Sequence, residues 1–143
     1  MKSKKSNIFG FNKDALTQWF LYWLTLGFGF FVLFFLITST WIGVSVHEKC
    51  LVAEGKYEDG CVDALMATLD DPQNSLRERN NAIWALGQLG DPKALSTVEK
   101  YYTGEIPNRE PYDETLSQYE MKKALKLLEG GINLTHFVWR SFL

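Results

Sequence analysis

The sequence predicts an all-α protein, with one N-terminal transmembrane helix followed by a short domain of about four helices. Three observations carry that prediction. No Asp, Glu, Lys or Arg occurs from Ala15 to Val46. Beyond Gly60, apolar residues recur at the three- and four-residue spacing of amphipathic helices. Gly90, Pro92, Pro107, Pro111 and Gly130 punctuate these stretches where helices would stop or start.

The uncharged stretch exceeds the ~18–20 residues that a bilayer-spanning helix needs. Its densest part, Leu24 to Ile37, is mostly Leu, Phe, Val and Gly. Trp19, Tyr22 and Trp23 stand at its start and Trp41 near its end. At the helical rise, Trp23 and Trp41 lie roughly 27 Å apart, close to the hydrocarbon thickness, so these four aromatics read as membrane-interface residues. A cleaved signal peptide fits less well. Its apolar core would be about 7–15 residues long, and Thr38 to Ser45 offers no convincing small-residue cleavage site. A buried core helix fits less well still, because so small a domain cannot enclose so long an apolar cylinder.

Charge sets the expected orientation. Residues 1–14 carry four Lys and one Asp, net +3, whereas residues 47–143 carry net −5. Basic residues beside a first helix stay in the cytoplasm. The expectation is therefore a single-pass cell-membrane (inner-membrane) protein with its N terminus inside and its C-terminal domain periplasmic or otherwise extracytoplasmic. The acidic domain lacks a basic patch to displace counterions from phosphate, so no nucleic-acid partner is expected.

Cys50 and Cys61 are the two cysteines, with ten residues between them. That spacing suits neither a CxxC redox motif nor a zinc site. An oxidising compartment favours a disulfide between them; two buried free thiols in a cytosolic domain are the alternative.

In the soluble part, Val62, Leu65, Met66 and Leu69 define one apolar helix face. Asp71-Pro72 breaks the chain. A second helix is expected from about Ser75 to Leu89, with Leu76, Ala82, Ile83, Leu86 and Leu89 inward and a Ser75/Glu78 capping box. Gly90 stops it, Asp91 caps the next helix, and Pro92 occupies that helix's first turn. The third helix carries Ala94, Leu95, Val98, Tyr101 and Tyr102. A polar loop runs from Thr103 to Pro111, and a fourth helix is expected from about Asp113 to Glu129, ending at Gly130-Gly131.

The stretch from Arg77 to Leu95, RERNNAIWALGQLGDPKAL, resembles the HEAT-like repeat of the phycobilisome-lyase type. In that repeat an Arg opens a helix, an Ala-rich face packs on a neighbour, and Leu-Gly-Asp-Pro forms the turn. Gly90, Asp91 and Pro92 are the repeat turn on this reading. The resemblance covers 19 residues and implies a short α-solenoid built for protein–protein contact. Lyases with this repeat attach bilin pigments, but they are longer and soluble, and that activity is not carried over. Asn80 and Asn81 stand where the repeat usually has small apolar residues, which marks them, with the neighbouring Trp84, as possible partner contacts. An echo of Ala85–Gly90 at Ala124–Gly131, 39 residues later, fits the period of HEAT-type helix pairs.

No catalytic constellation, phosphate loop or dinucleotide fingerprint is present. His47 and His136 read as surface or interfacial residues without clustered partners. The acidic group Glu48, Glu54, Glu58 and Asp59 lacks EF-hand spacing and reads as a solvated loop. Asn133-Leu134-Thr135 is a glycosylation sequon only in an organism that glycosylates. The tail is strongly apolar, with Ile132, Leu134, Phe137, Val138, Trp139, Phe142 and Leu143. It must dock on the domain, the membrane or a partner, and Phe137, Trp139 and Phe142 join the possible partner contacts.

The organisation expected is a basic cytoplasmic N terminus (1–14), the transmembrane helix and membrane exit (15–46), a juxtamembrane loop (47–61), the HEAT-like domain (62–131) and the apolar tail (132–143). The function expected is a non-enzymatic, membrane-anchored interaction module without cofactor or metal. It would serve as an accessory or assembly subunit, with the lipid bilayer and an integral membrane protein as partners. The rival reading is a regulator or receptor that binds a peptide or ligand on the helical surface.

Overall fold

Helix α1 runs without a break from Lys13 to Tyr57 in the computed structural model, which describes residues 13–140 and side chains from residue 15. It is long and apolar enough to cross a membrane. The chain divides into two units at Ile37/Thr38. In the first, every side chain from Leu16 to Phe34 is exposed. In the second, the helix changes character. Ser39, Gly43, Val46, Cys50 and Ala53 are buried at alternating four- and three-residue steps. That stripe is one helix face, and it is the first wall of the domain core.

The juxtamembrane loop expected over 47–61 is therefore mostly helix, and only Glu58–Gly60 connects α1 to α2. The apolar members of this stripe are small or sulfur-bearing, and the charged residues Glu48, Lys49, Glu54 and Lys56 occupy the remaining faces. Polar residues on three sides of a half-buried helix look like loop composition until the stripe is recognised. The helix ends where Glu58 takes a left-handed conformation, φ 57°, and its N–H bonds to the Glu54 carbonyl at 2.9 Å.

Helix α2 (Cys61–Asp70) buries Ala64, Leu65 and Leu69. Helix α3 (Leu76–Leu89) opens on the expected capping box. The Glu78 N–H donates to Ser75 Oγ at 3.2 Å, and the Ser75 N–H donates to Glu78 Oε2 at 2.8 Å. It closes on Gly90 at φ 63°, the left-handed C-cap expected there. Asp91 accepts from the Lys93 N–H at 2.9 Å, and Pro92–Ala94 form a 3₁₀ turn leading into the short helix α4 (Leu95–Glu99). The third helix is thus half the expected extent: Tyr101 and Tyr102 lie in the turn beyond it.

Helix α5 (Gln118–Leu128) begins later than the sequence periodicity indicates. Residues 112–114 form a turn instead, in which the Glu114 and Thr115 N–H groups donate to the Pro111 carbonyl at 3.0 and 3.1 Å, and Asn80 holds the Thr115 carbonyl and the Ser117 N–H. Glu110 accepts from Ser117 Oγ at 2.7 Å, the Gln118 N–H at 2.8 Å and the Tyr119 N–H at 3.2 Å. A single turn, α6 (His136–Trp139), follows.

Helix α3 is central, packed on α2 on one side and α5 on the other. Gly87 permits the closest approach: a Cβ there would fall 2.8 Å from both Cα and Cβ of Ala124. Leu65, Leu69, Ile83, Leu86, Val98 and Met121 fill the interior around it.

Candidate interaction surface

The disulfide places its two ends in the core. Cys50 on α1 is bonded to Cys61 at the first residue of α2, with Cα atoms 4.8 Å apart. The free-thiol alternative does not apply. This bond ties the C-terminal part of α1 to the domain, so the stretch from Thr38 to Tyr57 belongs to the folded unit.

Of the aromatics expected at a membrane interface, Trp19, Tyr22 and Trp23 form an exposed edge-to-face group, with centroids 6.4 and 5.9 Å apart. Trp41 belongs to the second unit and is 75% exposed.

The residues singled out as possible partner contacts separate sharply. Asn80 is fully buried. Its amide donates to the carbonyls of Tyr112 at 2.7 Å and Thr115 at 2.8 Å, and its oxygen accepts from the Ser117 N–H at 2.8 Å. It is an internal brace for the loop before α5, which is why a polar residue stands on an otherwise apolar face. Asn81 accepts from the Tyr112 hydroxyl at 3.0 Å, and Trp84 is half-buried against the core. Trp139 is 3% exposed and is likewise spent internally. Phe137, at 81%, is the member that remains open. Phe142 lies outside the described residues.

Trp139 seats on α1. A Cβ at Gly43 would meet Trp139 Cβ at 2.4 Å and Cγ at 2.8 Å, so only glycine admits the indole. His136 stacks on the same ring with centroids 4.8 Å apart. Burial, followed by the neighbouring Arg140 charge, holds the His136 imidazole below its ordinary pKa. His47 is exposed on α1. The Asn133 amide donates to the Gln88 carbonyl at 3.2 Å, which anchors the segment to the end of α3. Among the described residues, no His, Cys, Asp or Glu cluster is placed to hold a metal.

A shallow groove of about 190 Å³ opens between α1, α2 and α3, lined by Lys49, Val52, Lys56, Leu65, Glu78 and Asn81 among others. At its rim the Tyr57 hydroxyl donates to Asp71 at 2.8 Å, Asn74 donates to Tyr57 at 2.8 Å, and Lys56 bonds Asn74. The Tyr57 hydroxyl, then the Asp71 carboxylate, raise the pKa of Lys56 and keep it cationic. Leu51 and Val52 are exposed beside this groove.

Comparison with family models, curated proteins and solved structures gave no match.

Sequence reasoning missed three residues of consequence: Gly43, Asn80 in its bracing role, and Glu110. The small-residue spacing Ser39–Gly43–Val46–Cys50–Ala53 is a readable signal for the first. Asn80 acts on backbone groups more than thirty residues away, and Glu110 acts from irregular chain on the first N–H groups of α5, so no periodicity exists to betray either.

Proposed function

We propose that the chain is an uncleaved, single-pass membrane anchor with a small extracytoplasmic interaction domain, acting as an accessory or assembly subunit of a larger membrane-protein complex. The observation that carries this reading is the continuity of α1. An exposed apolar half, fit for lipid or for helices of a partner, runs into a half that builds the domain core and holds Cys50. Cleavage in the Thr38–Ser45 stretch would cut the helix through the Ser39 and Gly43 contacts of the domain, which speaks for retention of the apolar segment. The disulfide supports an oxidising compartment, and with the Lys-rich N terminus supports an N-in orientation.

The helical domain fits a truncated HEAT-like solenoid. Ala85, Leu86 and Leu89 of α3 correspond to Ala124, Leu125 and Leu128 of α5, and all but the half-buried Leu89 are buried. The left-handed glycine after α5 is Gly130, φ 97°, one residue later than the counterpart of Gly90. Two such units fall short of the three or more that solenoids usually need, which favours stabilisation by a neighbour. Such repeats serve binding, and the domain is read as non-enzymatic.

Purification of the full chain in mild detergent tests this. A stoichiometric multi-pass protein co-purifying through washes supports the subunit reading; a monodisperse monomer overturns it. The groove beside Lys49 and Lys56 favours the second reading, a receptor for a small anionic ligand or peptide, and a monomer that gains such a ligand would support it. A cytoplasm-dependent reporter fused after Leu143 should be silent, and retention of the chain in carbonate-washed membranes tests the anchor.

A further inference from the structure

We propose that the segment Gly130–Trp139 is a second membrane contact, lying in the interfacial layer of the same bilayer that α1 crosses. The inference rests on the anchor reading and adds to it a second lipid contact.

Its first support is the seat of Trp139. The indole packs on Gly43, and Gly43 lies inside the uncharged stretch that ends at Val46. The nearest ionisable residues along α1, His47, Glu48 and Lys49, come four to six residues later, which is about 6–9 Å further from the hydrocarbon at 1.5 Å per residue. Trp41 and Val44 flank the seat and are exposed. The C-terminal turn is therefore pinned at the level of α1 where an interfacial Trp belongs.

The second support is the length of α3. Asn74, just before α3, is bonded to Lys56 on α1, while Gln88, at its end, holds Asn133. Helix α3 has 14 residues, and Lys56 stands 13 positions after Gly43. The two helices span the same roughly 20 Å, so the far end of α3 and residues 133–139 come down to the level of Gly43.

The third is chemistry. From Gly130 to Trp139 there is no Asp, Glu, Lys or Arg. Ile132 is 81% exposed, Leu134 66% and Phe137 81%. His136, the one titratable group there, is disposed toward its neutral form by burial and then by Arg140. An apolar, uncharged, exposed segment held at the headgroup level has the lipid interface as its occupant.

The test uses the full chain in phosphatidylcholine nanodiscs, with a fluorescent amino acid replacing Phe137, Ile132 or, as control, Tyr119, which is exposed at the far end of α5. Lipid carrying a nitroxide near the headgroup should quench the probes at 137 and 132 about twofold or more beyond the probe at 119, with iodide quenching at least about threefold weaker. Equal iodide access at all three positions overturns the proposal. Shielding from both quenchers also overturns it, and assigns the segment to a protein contact. Failure of the chain to enter nanodiscs overturns the anchor itself, an outcome distinct from an aqueous residue 137 in a reconstituted chain. All three replaced side chains are exposed, and resistance of Cys50 and Cys61 to alkylation verifies the fold.

Discussion

Replacing Asn80 by Ala removes one side chain and disconnects three backbone groups. The Ser117 N–H is in a buried residue, and leaving it unsatisfied costs about 1–3 kcal/mol. The carbonyls of Tyr112 and Thr115 belong to exposed residues, so water replaces part of what they lose, and each contributes about 0.5–1 kcal/mol. The expected destabilisation is about 2–5 kcal/mol, a large part of a marginal total. Pulse proteolysis of the full chain in detergent across a urea series would measure it, because cleavage reports opening of the domain independently of the apolar half of α1. Amide exchange at Ser117 and Gln118 should rise with it. Asn80→Asp separates the donor from the acceptor. Its oxygen can still face the Ser117 N–H, but two carbonyls then confront a carboxylate. That repulsion raises the folded-state pKa of the introduced acid, so the deficit relative to the parent should shrink as pH falls from 7 to 4 and the carboxyl protonates. An Asn80→Ala chain that melts within about 0.5 kcal/mol of the parent would refute the brace and return Asn80 to the surface.

Four further outcomes follow from the same structure. Replacing Cys50 and Cys61 together by Ser should lower stability by roughly 2–3 kcal/mol, and reductant should bring the parent down to the variant in the same urea series. Glu58→Gly should stabilise by up to about 1 kcal/mol by relieving the left-handed backbone, while Gly90→Val should destabilise by about 1–3 kcal/mol for the converse reason, both read by thermal melts. Gly43→Leu should expel the indole of Trp139, at about 1–3 kcal/mol, and make the bond after Arg140 newly sensitive to trypsin. Bonds from the Ser75 hydroxyl and N–H depress the Glu78 pKa, and the Gln73 N–H, then Tyr57 and Lys56, depress that of Asp71. Folded pKa values below the unfolded ones mean stability that is present at neutral pH and lost as pH falls through the acid range. Ser75→Ala should therefore flatten the decline between pH 5 and 3 in acid titrations followed by proteolysis.

Local chemistry made much of the architecture legible. The capping box at Ser75, the left-handed Gly90, the Asp91–Pro92 start and the Cys50–Cys61 bond all depend on residues close in sequence, where one residue type has one dominant physical use. Legibility failed where a residue answers a distant segment. Asn80 looks like a surface asparagine until the loop before α5 arrives beneath it. Trp139 looks like a sticky tail residue until Gly43, almost a hundred positions earlier, supplies its seat. The composition of 113–117 permits a helix beginning near Asp113; Asn80 takes the Thr115 carbonyl and the Ser117 N–H, and Glu110 caps the first N–H groups of α5 at Gln118 and Tyr119.

The sequence by itself determined that the chain is helical, that its first helix is long and apolar enough for a bilayer, and that Cys50 and Cys61 could pair. Periodicity, uncharged length and loop size are properties of consecutive residues, and a linear reading measures them directly. Only the tertiary structure decided that α1 does not stop at the end of its apolar run but continues to Tyr57 as a wall of the core. Ser39, Gly43, Val46, Cys50 and Ala53 bury little apolar area each, so their amphipathic signal is weak along the chain. They become a packing face when α2, α3 and Trp139 come close enough to use their small size, because contact distance rewards small side chains in a way that hydropathy does not.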